Sequence, residues 1–170
     1  MKKLIIVFAL FSFPLLSNAQ KCKFDEDKND PFTGTHYRMV SQNIGPASWG
    51  WAISLEENNQ NFFMGVRMIR LGKMDDLFLK GEKILLKLSN DKILELIASE
   101  DIVPVYGAGG GIIFTTYNAK IPITKDFLSE LSTAPITDLK VTLCKEEVIL
   151  PKIVERQTNR IKQAATCLLK

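Results

Sequence analysis

The chain has 170 residues, with 22 basic and 19 acidic side chains and a formal net charge of +3. That charge is too small, and its lysines and arginines too dispersed, to predict binding to nucleic acid or to an anionic membrane surface. The single histidine, His36, excludes metal sites built from several histidines, and no cofactor motif is present. We therefore predict one globular domain with no metal and no cofactor.

The first 19 residues have the pattern of a secretory signal peptide. Lys2 and Lys3 precede an apolar run at residues 4–16, and Ser-Asn-Ala at residues 17–19 forms a small-x-small cleavage site. The apolar run is too short to span a bilayer. The sequence thus predicts a signal peptide at residues 1–19, an exported protein and no membrane span.

Cleavage after Ala19 would leave a mature domain of residues 20–170 with a net charge of about +1. Lipidation requires a cysteine directly after the cleaved residue, and Cys22 follows Gln20 and Lys21 instead. We expect an unlipidated protein in the periplasm or outside the cell.

Export would place the cysteines in an oxidising compartment. The mature chain has three, Cys22, Cys144 and Cys167, so three different single disulfides are possible. We favour Cys22–Cys167, which joins the two ends of the mature chain and would stabilise the fold by about 4–5 kcal/mol through lost loop entropy. Cys144 would then remain a buried thiol near a strand end.

The first half of the mature domain is predicted to be β-structure. After a polar, acidic leader, strands are expected at residues 35–44, 49–55 and 62–71. A polar loop, residues 56–61, should join the last two of these strands into a hairpin.

Trp49 and Trp51 lie on one face of the second predicted strand, together with Ile53 and Leu55. Two neighbouring indoles can form an aromatic platform for a sugar, and they can equally fill a β core. The two aliphatic neighbours favour the core. We retain Trp49 and Trp51 as candidate glycan-binding residues because no stronger ligand signal is present.

Residues 82–99 give the clearest structural pattern, with two apolar runs on either side of Asn90-Asp91, a pair that suits a two-residue hairpin turn. Such a turn places Leu88 opposite Ile93. One face would then carry Ile84, Leu86, Leu88, Ile93 and Ile97, and the other Leu85, Leu94 and Leu96. A hairpin that is apolar on both faces should be covered on both sides. A helix at residues 93–97 is the alternative.

Residues 107–111, Gly-Ala-Gly-Gly-Gly, are the most flexible stretch of the mature chain. A dinucleotide-binding loop is excluded because Ile112 stands where a third glycine is required, and a β-branched strand follows where a helix should begin. We predict a hairpin loop or bulge. If the loop borders a cleft, four glycines are candidate ligand contacts: Gly107, Gly109, Gly110 and Gly111.

The last third of the chain mixes strands and helices. A strand is predicted from residue 112 and a short helix after Thr124, which can cap it. A hairpin at residues 136–154 and a helix at residues 155–169 follow. The buried stripe of that helix should contain Ile161, Ala164, Ala165 and Leu168.

Several segments together resemble a known group of proteins. They are a cysteine before an acidic leader and Phe32-Thr33-Gly34, a Gly-Glu-Lys-Ile-x-Leu-Lys-Leu hairpin from Gly81, the helix Thr-Lys-Asp-Phe-Leu-Ser-Glu-Leu, an Ile-Thr-Asp-Leu-Lys-Val strand from Ile136 and a final helix with a cysteine. The chain resembles small, uncharacterised exported proteins of Bacteroides-like Gram-negative bacteria. The resemblance implies a shared fold and supplies no catalytic residues.

We predict a mostly-β α+β fold, an antiparallel sandwich or partly open barrel of about eight strands with a short helix and a C-terminal helix. No nucleophile elbow is present, and no residue is predicted to be catalytic. The predicted function is a non-catalytic binding or interaction module of the cell envelope, with a glycan or an envelope protein as candidate partners. The alternative is an envelope hydrolase that uses a carboxylate pair, for which the candidates are Asp75, Asp76, Glu95 and Glu100.

Overall fold

The computed structural model describes residues 22–45, 50–143 and 146–170. Within these ranges the chain forms ten strands and two helices. In chain order they are β1 (Glu26–Asn29), β2 (His36–Ile44), β3 (Trp51–Asn58), β4 (Asn61–Leu71), β5 (Lys83–Leu88), β6 (Ile93–Ile97), β7 (Val105–Gly109), β8 (Ile112–Ile123), α1 (Lys125–Thr133), β9 (Ile136–Leu143), β10 (Glu146–Leu150) and α2 (Glu155–Leu168).

The strands form two antiparallel sheets. One is six-stranded, in the order β1-β2-β3-β4-β8-β7, and curves into a half-barrel; the other is four-stranded, in the order β10-β9-β5-β6. The predicted fold class, a mostly-β α+β protein with a short helix and a C-terminal helix, is confirmed. The polar, acidic leader, for which no strand was predicted, contributes β1, which pairs with the start of β2.

The core lies between the inner faces of the two sheets and under the helices. Met64 of the six-stranded sheet, Leu86 of the four-stranded sheet, Leu128 of α1 and Ile161 of α2 are all fully buried in one continuous apolar cluster. Helix α2 packs across β2, β3 and β9, and therefore bridges both sheets. Its predicted buried stripe is confirmed.

The cap predicted for α1 is present. The Thr124 hydroxyl accepts a hydrogen bond from the Phe127 N–H at 3.2 Å, which satisfies one of the free amides of the first helical turn. Asp126 lies in that turn, where a negative charge suits the helix dipole.

The predicted disulfide is confirmed: Cys22 and Cys167 are bonded, with their Cα atoms 5.8 Å apart. The bond ties the chain before β1 to the last turn of α2 and closes a separation of 145 residues. Such a bond is typical of an oxidising compartment outside the cytoplasm. Neither described helix has the length and apolar character needed to cross a bilayer. The predicted signal peptide and Cys144 lie outside the described residues.

The predicted register of the 82–99 hairpin is wrong by one residue. Lys87, not Leu88, pairs with Ile93, and the Leu88 N–H bonds to the Lys92 carbonyl at 2.8 Å, so that the loop has three residues. Asp91 takes the positive φ of 63° that such a loop requires at its last position.

The one-residue shift exchanges the faces of β6. The buried face carries Ile84, Leu86, Leu88, Leu94 and Leu96. Ile93 and Ile97 instead lie on the outer face, 60% and 50% exposed, so this hairpin is covered on one side only. Glu95 lies on the same outer face and pairs with Lys83, with Oε1 2.9 Å from Nζ.

Candidate functional site

The outer face of the half-barrel, opposite the core, carries a shallow groove lined by both polar and apolar residues. Four strands contribute to it, and the pairing registers align their side chains in rows that run across the sheet. The central row is Ser41, Ser54, Gly65 and Lys120, contributed by β2, β3, β4 and β8 respectively. Three of these four side chains are among the smallest available, so the sheet surface is low along this row.

Larger side chains rise on both sides of the central row. One neighbouring row contains Met39, Glu56, Phe63 and Pro122, and the other contains Asn43, Ala52, Arg67 and Asn118. The resulting groove encloses about 320 Å³, which is the volume of a small-ligand site.

Gly65 forms the floor of the groove. The Ser54 hydroxyl oxygen lies only 2.1 Å from the point at which a Cβ on Gly65 would stand. The backbone of Gly65 is extended in the middle of β4, so the requirement for glycine here is one of space and not of φ. The absence of a side chain at this position leaves room for the Ser54 hydroxyl at the floor of the groove.

Glu56 is a buried carboxylate on the groove side of β3, only 9% exposed. It forms an ion pair with the Lys120 ammonium group across two strands, and the Ser54 hydroxyl donates to its Oε1 at 3.5 Å. Lys120 Nζ also lies 4.8 Å from the centre of the Phe63 ring, a cation–π contact. The acid is therefore held in a fixed position as a neutralised pair.

Tyr37 extends this network toward β2. Partial burial raises the pKa of the Tyr37 phenol, and the nearby negative charges of Glu56 and Glu26 and a hydrogen bond to Glu56 raise it further. The phenol thus stays protonated and donates a hydrogen bond to the Glu56 carboxylate.

The opposite wall of the groove carries hydrogen-bonding side chains that are more exposed than Glu56. Arg67 is exposed, and its guanidinium donates to the Asn43 side-chain oxygen at 3.0 Å. Asn118 lies directly across from Arg67 on β8 and is also exposed. An amide and a guanidinium in this position can bind hydroxyl, carbonyl or carboxylate groups of a ligand.

Glu57, the next residue along β3, points to the other face of the sheet and is 6% exposed. Arg38 neutralises it, with Nε and Nη2 at 2.6 and 2.5 Å from Oε2, and the Arg38 guanidinium lies 5.2 Å from the Phe24 ring centre. The two most buried carboxylates of the described residues thus lie on opposite faces, each with its own cation.

Two of the carboxylates considered for a hydrolase are paired with lysines. Glu95 is bound to Lys83 on the outer face of the other sheet. Asp75 is on an exposed loop, where it accepts a hydrogen bond from the Tyr106 hydroxyl at 2.7 Å and pairs with Lys73. The Tyr106 hydroxyl and the Lys73 ammonium hold the pKa of Asp75 below its usual value, although burial opposes them slightly. Asp76 and Glu100 are exposed.

The structure places Trp51 in the core, 2% exposed, on the face of β3 opposite the groove. This position matches the core-filling interpretation, and the Trp51 indole is not available as a surface platform. Trp49 lies outside the described residues, and its role in ligand binding stays a prediction.

The five-residue loop predicted at residues 107–111 is shorter in the structure. Gly107 and Gly109 belong to β7, and only Gly110 and Gly111, with φ of 58° and 78°, form the turn to β8. The Phe114 ring lies over Gly107, with ring atoms 2.3 Å from the site of a missing Cβ. None of the four glycines lines the groove.

The groove residues were not among the site residues predicted from the sequence. Glu56 was assigned to a loop because residues 56–61 are all polar, yet β3 continues to Asn58 and the loop is only Asn59-Gln60. The available signal was Gly65 inside an apolar strand pattern, which often marks a close approach or a ligand site. No family model, curated protein or solved structure matches the chain.

Proposed function

We propose that this protein is an exported, non-catalytic binding module of the cell envelope, and that the groove on its half-barrel is the ligand site. The observation that carries the proposal is the row of small residues across four strands, bordered by fixed polar groups. A row of this kind does nothing for the core, which lies on the other face of the sheet.

The composition of the groove favours a polar ligand of glycan type. Arg67, Ser54 and Asn118 offer hydrogen-bond partners, and Met39 adds an apolar surface. Sugars present both hydroxyl groups and apolar C–H faces, so a lining of this kind suits them. A glycan ligand is also consistent with the location expected for an exported protein with a disulfide.

An envelope hydrolase is the alternative, and the carboxylate geometry disfavours it. Hydrolysis of a glycosidic bond uses two carboxyl groups that face one another across the substrate. Glu56 and Glu57 point to opposite sides of the sheet. Glu56 forms an ion pair with Lys120, and Glu57 forms one with Arg38.

The test is amide NMR of the purified protein titrated with a panel of neutral and uronic-acid-containing oligosaccharides. We expect at least one probe to shift the amides of Ser54, Gly65 and Lys120. Arg67→Ala should weaken that binding. Arg70→Ala, which removes an arginine from the other face of the same strand, is the matched control and should leave binding unchanged.

Two results would contradict the proposal. One is the absence of shifts with every oligosaccharide in the panel. The other is a probe that shifts amides far from the groove and binds Arg67→Ala as well as wild type. Release of shorter sugars during the titration would instead support the hydrolase.

A further inference from the structure

The outer edge of β7 is the least protected strand edge among the described residues. Four strands lie at sheet edges, and three of them carry charge: Glu26, Asp27 and Lys28 in β1, Glu95 in β6, and Glu146 and Glu147 in β10. The sequence of β7 is Val-Tyr-Gly-Ala-Gly, without a charged residue or a proline. Folded proteins usually block such edges with charge, proline or a covering segment.

Exposed apolar side chains surround this edge on both faces of the sheet. Val105 in β7 and Ile112 and Ile113 in the neighbouring β8 are each more than half exposed. Ile112 and Ile113 are consecutive in β8 and so point to opposite faces. A partner resting on one face would leave the other face uncovered, whereas a strand added at the edge would cover part of both.

The hydrogen-bonding pattern shows which groups the edge offers. Gly109 and Ile112 flank the two-residue turn and form a hydrogen-bonded pair. Non-hydrogen-bonded and hydrogen-bonded pairs then alternate along β7 and β8. The Ile113 carbonyl accepts from the Gly72 N–H at 2.8 Å and thus faces β4, away from β7. Its partner Ala108, and Tyr106 two residues earlier, therefore direct their N–H and C=O groups outward.

We propose that β7 pairs with β7 of a second copy of this chain, antiparallel, with Gly107 of each copy on the two-fold axis. This register pairs Tyr106 of each copy with Ala108 of the other. Each such pair exchanges two backbone hydrogen bonds, which gives four in total. Pro104, which has no N–H to donate, ends the ladder just before β7.

The position of Phe114 supports a second copy as the occupant. In the proposed dimer the two β8 strands are three strand spacings apart, about 14 Å. Each Phe114 side chain crosses one strand spacing, from β8 to β7, so that its ring lies over Gly107 of the same copy. The two rings would then approach to about 5 Å across the axis, which is within the range of aromatic pairs. β7 itself has no charged residue, so the two paired strands would not place like charges of their own opposite each other.

The experiment is sedimentation velocity of the disulfide-bonded protein over a wide concentration range. We expect a reversible monomer–dimer equilibrium. Ala108→Pro removes one outward N–H per copy, hence two of the four hydrogen bonds, and should weaken dimerisation about tenfold or more. Ala108→Ser retains the N–H and should dimerise as wild type does. Circular dichroism should show the same fold for all three proteins, because the Ala108 N–H takes no part in the β7–β8 pair.

A wild-type protein that stays monomeric at every concentration would overturn the proposal. So would a dimer that Ala108→Pro leaves intact, since the contact would then lie elsewhere. A monomer that co-sediments with phosphatidylethanolamine–phosphatidylglycerol vesicles would assign the exposed apolar side chains to a lipid surface and equally overturn it.

Discussion

Ser54 and Gly65 face each other across β3 and β4, and the Ser54 hydroxyl occupies the space in which a Gly65 side chain would begin. The two positions are therefore coupled: the hydroxyl lies at the floor of the groove only because its cross-strand partner is glycine.

Gly65→Ala should destabilise the wild-type protein by about 1 kcal/mol, because the new methyl group collides with the Ser54 oxygen and displaces it. In a Ser54→Ala background the colliding oxygen is gone. Gly65→Ala should then be neutral or stabilise the protein by about 0.5 kcal/mol, because alanine suits an extended strand better than glycine does. Urea unfolding of the four proteins measures this coupling as a double-mutant cycle. Simple additivity of the two changes would contradict the proposed contact.

Lys120→Met should destabilise the protein by about 1–3 kcal/mol, since it leaves the buried Glu56 carboxylate without its cation. The double variant Glu56→Gln/Lys120→Met should recover most of the loss, because a neutral amide needs no counter-charge. Lys28→Met removes the exposed pair with Glu26 and is the control, with an expected change below about 1 kcal/mol. Chemical denaturation gives all three values.

Gln60→Gly should stabilise the protein by about 1 kcal/mol. Asn59 and Gln60 form the two-residue turn between β3 and β4 with φ of 49° and 65°, a conformation that glycine adopts without the strain of a Cβ. The same change at an exposed helical position, Gln163→Gly in α2, should destabilise by a similar amount. Opposite shifts of the two thermal midpoints are expected, and shifts of the same sign would argue against this turn geometry.

Reduction of Cys22–Cys167 should lower the free energy of unfolding by up to about 4–5 kcal/mol, because the bond closes a loop of 145 residues in the unfolded chain. Denaturation with and without a reducing agent measures the loss. Thiol titration of the denatured, unreduced protein should find one thiol, since the chain has three cysteines. A count of three would show that the bond had not formed.

Asp25 should contribute to loss of stability in acid. Partial burial raises its pKa, but the Ser41 N–H at 2.8 Å and the Arg160 guanidinium at 2.5 Å lower it by more, so the folded-state pKa lies below the ordinary value. Its stabilising effect is therefore complete above the ordinary carboxyl pKa and is lost as the pH falls through the folded-state value.

Asp25→Asn should flatten the dependence of stability on pH below about pH 4, where an ordinary Asp begins to take up protons. Glu100→Gln changes an exposed carboxylate and should keep the wild-type profile. Denaturation midpoints measured at several acidic pH values make the comparison. Equal profiles for Asp25→Asn and wild type would show that the Arg160 contact contributes nothing.

The predicted and the observed 82–99 hairpin differ in register by one residue. Aliphatic residues occur on both faces of β5 and β6, so the turn signal at Asn90-Asp91 outweighed the charges of Lys83, Lys87 and Glu95, which share one face only in the observed register. A third loop residue, with Asp91 at positive φ, decides between the two registers, and the choice places Leu94 and Leu96 beneath the core and Ile93 outside. Local pattern thus predicted the hairpin but not its faces.

The amino-acid sequence by itself determined the mostly-β class, the capped α1 and the buried stripe of α2, because alternation, capping residues and helical spacing are local properties. It limited the disulfide to three possible pairs, and the structure contains the favoured one, Cys22–Cys167. Only the tertiary structure decided the groove. Ser41, Ser54, Gly65 and Lys120 are far apart in the chain, and they meet in one row only after three strand pairs have each taken a single register. A shift of one residue in any of these pairs would turn a side chain to the other face of the sheet and close the groove.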